Sequence, residues 1–134
     1  MAIRSLNAAG YAMPGARLSH AVVVDPGHRL VFLSGLTARG PAGEPIAPGD
    51  AHGQALAILA TIQRLLEQAG GSMRDVVKLT VFLRDMAALP AVSEARELYF
   101  APPYPASSVV EVSRLAGADR LVEIEAIAAL PVVA

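Results

Sequence analysis

Hydrophobic positions along the chain change their period several times, and each change marks an element. "SHAVVV" and "LVFLS" are short β-branched or apolar runs, which predict strands at about Ser19–Val24 and Leu30–Ser34. "DPGHR" between them has hairpin chemistry: proline presets φ and glycine permits positive φ, so the two strands are expected to pair antiparallel. "GLTARGPAGEPIAPGD" is dense in glycine and proline and reads as a long loop. From Ala55 the spacing becomes helical, through Ile58, Leu59, Ile62, Leu65, Leu66 and Ala69. Asp50 is the expected N-cap, and Gly70-Gly71 ends the helix. Val77, Leu79, Val81 and Leu83 then alternate with Val76, Lys78, Thr80 and Phe82, the period of a strand. Leu89, Val92, Ala95 and Tyr99 return to helical spacing, with Pro90 tolerable within the first turn. "APPYP" breaks that helix. Strands at about Ser108–Ser113 and Leu121–Ala129 finish the chain, and the order is ββαβαββ.

Two helices can cover one face of such a sheet. If Val110 and Val112 face the helices, Val109 and Glu111 point away. If Val122, Ile124 and Ala126 face them, Leu121, Glu123, Glu125 and Ile127 point away, together with Lys78, Thr80, Phe82 and Arg84. This second face mixes apolar and charged residues, as a subunit interface containing a polar cleft would. Composition strengthens that reading. The chain has 134 residues, enough for one domain, with 54% hydrophobic and 17% charged residues. A monomer this small and this apolar leaves apolar surface over, so an oligomer that hides one face is expected.

Charge and the remaining composition narrow the partners. The net charge is −1, with no basic run and no RNP-type or finger motif, which argues against nucleic acid. The absence of cysteine removes disulfides, thiolate catalysis and Cys-based zinc sites, and it fits the cytoplasm. "MAIRSLNAAGYAMPGA" has no apolar core of the kind a signal peptide carries. No run approaches the roughly 20 apolar residues of a membrane span.

Candidate chemistry is sparse. His20, His28 and His52 are the histidines, and none has metal-ligand spacing to another, so no metal or other cofactor is expected. Glu123 and Glu125 share one face of a strand. They read either as a solvated or ion-paired face, with Lys78 or Arg84 across the sheet, or as a carboxylate in a partly buried cleft that orients a water. Ser34-Gly35 ends an apolar strand and reads as a plain turn or as a backbone donor beside a ligand, since glycine permits close approach. Ser107 sits at the mouth of a strand in "PPYPASSVVEV". It has neither a neighbouring histidine nor a G-x-S-x-G elbow, which argues against a serine nucleophile. "GLTARG" is not a phosphate loop.

Four stretches together carry a resemblance: "VFLSG", "QALAILATIQRLLEQAGGSMRDVVKLTVFLRDM", "YFAPPYPASSVVEV" and "LVEIEAIA". From about Ser19 to Leu130 the chain resembles the Rid family (YjgF-like, reactive-intermediate deaminases). That resemblance implies a chorismate-mutase-like α+β fold, a mixed sheet with two helices on one face. It also implies a homotrimer with ligand clefts between subunits. The family's best-studied members hydrolyse 2-imino acids to 2-oxo acids and ammonia. They anchor the substrate carboxylate on an arginine and place a water with a strand glutamate.

Carried over residue by residue, the resemblance is mixed. Ser34 and Gly35 match the family's SG, and Glu123 matches its strand glutamate, the candidate catalytic group. The anchoring arginine falls at Ser107, where PARS reads PASS. The family's tyrosine falls at Leu18, its helix asparagine at Ser93 and its frequent cysteine at Val109. A lost guanidinium fork is worth a few kcal/mol, so either another cation enters the cleft or the ligand has no carboxylate there. Arg17 is the nearest substitute by alignment, ahead of Arg39 and Arg114. The readings that stay open are imine or enamine hydrolysis without the usual clamp, a non-catalytic metabolite-binding or regulatory trimer, and third, a ribonuclease-like activity.

Overall fold

Two helices lie on one face of a four-stranded mixed sheet in the computed structural model, which describes residues 3–132. The strands are β1 (Ile3–Leu6), β2 (Ala21–Val24), β3 (His28–Leu36), β4 (Val76–Leu83), β5 (Ala106–Glu111) and β6 (Val122–Pro131). The helices are α1 (Ala51–Gln68) and α2 (Leu89–Glu97), with single 3-10 turns at Met73–Asp75 and Met86–Ala88. The main sheet has the order β3-β6-β4-β5, and β1-β2 form a separate two-stranded ribbon. β6 is antiparallel to both of its neighbours, while β4 and β5 are parallel.

The α+β arrangement agrees with the expected one, with an additional strand at the start. β1 escaped the sequence pattern because "IRSL" is four residues long and half polar. The expected hairpin is corrected. Gly27 does take a positive φ of 93°, but β2 pairs with β1 and β3 pairs with β6. A turn sequence only reverses the chain. Pairing goes to the strand that shares a buried face, and β6 offers one along its length.

The helix boundaries follow local chemistry. Asp50 accepts the Gly53 N–H at 2.9 Å, which satisfies one of the orphan donors of α1. Gly70, at φ 89°, follows the last turn. Pro90 sits in the first turn of α2, where no helical N–H is needed.

α1 buries Ala55, Ile58, Leu59, Ile62 and Leu66 against Leu79, Val81 and Leu83 of β4 and Val122, Ile124, Ala126 and Ala128 of β6. The alternation of β4 thus lies as expected. β5 does not. Its parallel register sets Leu79 beside Ser107 and Val81 beside Val109. Val109 therefore packs toward the core, and Val110 lies on the outer face, 42% exposed. The expected facing of Val110 and Val109 is reversed. "SSVVEV" has two adjacent valines, so its pattern alone does not choose a face. Leu121, expected outside, precedes β6 and packs against the core. The outer face otherwise carries the mixture anticipated: Phe32 is 71% exposed there and Leu30 53%, beside Glu125.

One buried side chain ties α1 to two loops. Gln54 donates to the carbonyls of Ala47 (3.2 Å) and Asp119 (2.9 Å), and its Oε1 accepts the Leu121 N–H at 2.9 Å. Gln54→Leu should leave those backbone groups unpaired, at about 1–3 kcal/mol for each group that stays dry. The expected outcome is a clear fall in Tm at fixed protein concentration, with the exposed Gln63→Leu variant close to wild type.

Candidate functional site

The segment before β2 is laid along the free edge of β5. Ser19 N–H donates to the Pro105 carbonyl at 3.1 Å, and Ser19 bridges Ala106 in parallel. Ser19 Oγ bonds the Tyr104 carbonyl and lies 2.9 Å from Ser5 Oγ. His20 holds the segment from its other end. Its N–H donates to Asn7 Oδ1 (3.1 Å), its Nδ1 accepts the Ala8 N–H (2.9 Å), and its ring meets the Tyr11 ring edge-on at 5.1 Å. His20 is thus a hydrogen-bonded structural residue.

Between this segment, β5 and α2 opens a cleft of about 920 Å³. Val92 and Ala95 of α2 are fully buried, which turns Leu89, Ser93, Arg96 and Phe100 toward the cleft along one helical stripe. Leu18, Ser93, Ser107, Val109 and Arg17, named above from the sequence, all line it. Ser107 Oγ is buried and has no hydrogen-bond partner, an uncommon state for a buried hydroxyl. Arg17 is paired with Glu97, so the cation nearest by alignment already has its carboxylate. Arg114 lies outside the cleft lining.

Sequence reasoning missed Arg96. It lines the same cleft, and burial holds its guanidinium below the usual arginine range. The spacing of α2 contained the signal: if positions 92 and 95 face the core, positions 89, 93, 96 and 100 share the adjoining stripe.

Glu123 lies elsewhere. Its neighbours Val122 and Ile124 are fully buried, so Glu123 points to the opposite face of the sheet from Ser107. It lines a smaller hollow of about 320 Å³ with Gly35, Thr37, Arg39 and Thr61. The β3 ladder shifts register between Leu33 and Leu36, which places Ser34-Gly35 at an irregularity. A Cβ on Gly35 would run into the Glu123 carboxylate, so the glycine is explained by close approach. Ser34 is exposed beside it and lines neither space. The ion-paired reading of this face does not hold among the described residues. Glu123 lies opposite Phe82 and Glu125 opposite Thr80, and Lys78 Nζ instead donates to Ser108 Oγ at 3.3 Å. No group of three or more His, Asp or Glu among the described residues is arranged to hold a metal ion, and no described helix is long and apolar enough to cross a membrane.

Comparisons with known proteins identify the family. Residues 10–130 match the family described as Endoribonuclease L-PSP. The chain is 36% identical over 99 residues to the 3-aminoacrylate deaminase RutC of Acinetobacter baylyi, covering 74% of this chain and 78% of that protein. It is 37% identical over 110 residues to the 2-iminobutanoate/2-iminopropanoate deaminase of Capra hircus, covering 82% and 77%. Its fold superposes on a Rid-family protein of unknown function from Yersinia pestis with a TM-score of 0.84 at 29% identity, over 97% of this chain and all of that one. The chain belongs to the Endoribonuclease L-PSP family, and solved proteins of the Rid and YjgF names match it over 97% and 82% of its length.

Gly35→Ala tests the contact at the hollow. The obstacle is the end of a flexible side chain, so the variant should fold with a Tm within a few degrees of wild type. Its crystal structure should show the Glu123 carboxylate displaced from the strand.

Proposed function

We propose that the chain is the subunit of a cytoplasmic homotrimer that hydrolyses the imine or enamine of a small metabolite in clefts shared by two subunits. One observation carries this reading. Ser107 and Glu123, which resemblance assigns to a single site, face opposite sides of the sheet within one chain. They can meet on one ligand only if a neighbouring subunit brings its Glu123 hollow to the Ser107 cleft. The exposed Leu30 and Phe32 on the outer face supply apolar area for such a contact. The named activities of the two curated relatives, both deaminations of small unsaturated nitrogen compounds, support the reaction class.

In this scheme Glu123 takes a proton from water as the oxygen attacks the iminium carbon. The resulting carbinolamine carries both oxygen and nitrogen on one carbon. Transfer of the proton to nitrogen lets the C–N bond break, giving a carbonyl compound and ammonia. Hydrolysis consumes one water and needs no cofactor. Ser107 cannot act as a guanidinium clamp, so three- and four-carbon imino acids are expected to be handled weakly.

A ribonuclease reading finds less support. His20 alone of the histidines lines the cleft, and its Nδ1 already accepts a backbone N–H. No histidine pair stands ready to activate a 2′-hydroxyl and protonate its leaving group.

Light scattering at micromolar concentration should give three times the subunit mass, and a monomer would remove the shared site. Ammonia release from 2-iminopropanoate generated in situ should run at least tenfold below that of an arginine-containing relative. Glu123→Gln should lower whatever acceleration is observed by tenfold or more. No acceleration with any imine would leave a silent binding trimer. Refolded equimolar mixtures of Ser107→Leu and Glu123→Gln, each inactive alone, should recover about a quarter of the wild-type sites if every site takes one half from each of two subunits.

A further inference from the structure

We infer that Arg96 is the carboxylate anchor of the cleft, with the Ser107 hydroxyl as a second donor, and that the ligand is a monocarboxylate with an apolar body larger than a methyl or ethyl group. The inference rests on the reading above that the cleft holds a small ligand, and it adds which residue grips it and what the rest of the molecule must be.

The cleft has an unbalanced charge. Arg17 and Glu97 neutralise each other at its mouth. Lys78 also lines the space, its Nζ donating to Ser108 Oγ at 3.3 Å, whereas the Arg96 guanidinium has neither an ion pair nor a hydrogen bond among the described residues. Burial already disfavours its charge, yet an arginine stays protonated. Arg96 is half-buried, and a partly desolvated guanidinium gains more from an opposite charge than one in open water. A planar guanidinium matches a carboxylate with two parallel bonds. Ser107 Oγ, which is buried and without a partner, supplies a neutral donor in the same cleft. A half-buried guanidinium without an ion pair and a buried hydroxyl without a partner, with the one lining carboxylate already paired, call for an acceptor-rich anion.

The remaining walls set the body of the ligand. Met13, Leu18, Leu89, Phe100 and Val109 are apolar and line the cleft. These apolar walls offer more surface than the methyl group of pyruvate can cover. A branched or aromatic 2-oxo or 2-imino acid satisfies both parts, with the carboxylate on Arg96 and the side chain on the apolar walls.

Calorimetry on the intact protein tests this without turnover, using 4-methyl-2-oxopentanoate, phenylpyruvate, pyruvate and the neutral ketone 4-methyl-2-pentanone. Wild type should bind the two larger acids at least tenfold more tightly than pyruvate and than the neutral ketone. Arg96→Gln should lose tenfold or more for the acids and change little for the ketone, Arg96→Lys should recover part of the loss, and Ser107→Ala should lose a fewfold. Arg114→Gln, outside the cleft, serves as the charge control. A folded Arg96→Gln protein of unchanged mass that keeps its affinity overturns the inference. So does a loss seen with Arg17→Gln in its place, or millimolar wild-type protein that binds none of the acids. Should Arg96→Gln fail to fold, the arginine Nε–H resonances of wild type decide: titration with 4-methyl-2-oxopentanoate should move that of Arg96, and movement of Arg17 alone overturns the assignment. Binding without imine hydrolysis would defeat the proposed reaction and leave the anchor standing. Hydrolysis that is indifferent to Arg96 would do the reverse.

Discussion

β5 enters the sheet parallel to β4, and the site depends on that register. In a parallel pair, residues in register share a face. Leu79 and Val81 are fully buried under the helices, so Ser107 and Val109 beside them must also turn inward. A slip of one residue would move the orphan hydroxyl to the outer face and put Ser108 and Val110 in its place. The same pairing leaves the other side of β5 without a strand partner. The segment around Ser19 occupies that edge through one backbone bond and one bridge, too little to close the space against α2. A cleft results where an edge strand, a loop and a helix fail to meet.

Electrostatics divides the two spaces. The cleft at the edge of β5 holds an internal ion pair, Lys78 and a further guanidinium, with an unpartnered buried hydroxyl. The hollow on the outer side holds a carboxylate packed against a glycine backbone, with Arg39 and two threonines around it. Arg39 is itself held by Thr37, with Nε donating to its hydroxyl at 2.9 Å. Neither space contains a complete acid–base and anchoring set. Ser107 lies on one side of the sheet and Glu123 on the other, although the cleft wraps the edge of β5 and also takes in Lys78, Ser108 and Val110 of the outer face.

Much of the scaffold was legible because its elements obey local rules. The stripe of α1, the alternation of β4 and β6, the Asp50 cap and the Gly70 stop each follow from spacing or from a side chain acting on its own backbone. "PYPASS" and "VEIEAIA" marked the family, and the family match over residues 10–130 agrees. Local rules failed where two strands could pair in more than one way. Asp25-Pro26-Gly27 turns the chain as expected, yet β2 and β3 join different sheets, because pairing is settled by distant strands that share a buried face.

By itself, then, the sequence determined the helices, the central strands and their order, while its resemblance to a family supplied the cleft-lining candidates Leu18, Ser93, Ser107 and Val109. These are properties of periodicity and of motif. The tertiary structure alone decided which face of β5 carries Ser107, that Arg17 is consumed by Glu97, and that Arg96 stands in the cleft without a partner. Those facts depend on which side chains a fold brings within a few ångströms across large separations in the chain. Charge pairing and desolvation act over that distance, and no spacing along the sequence records it.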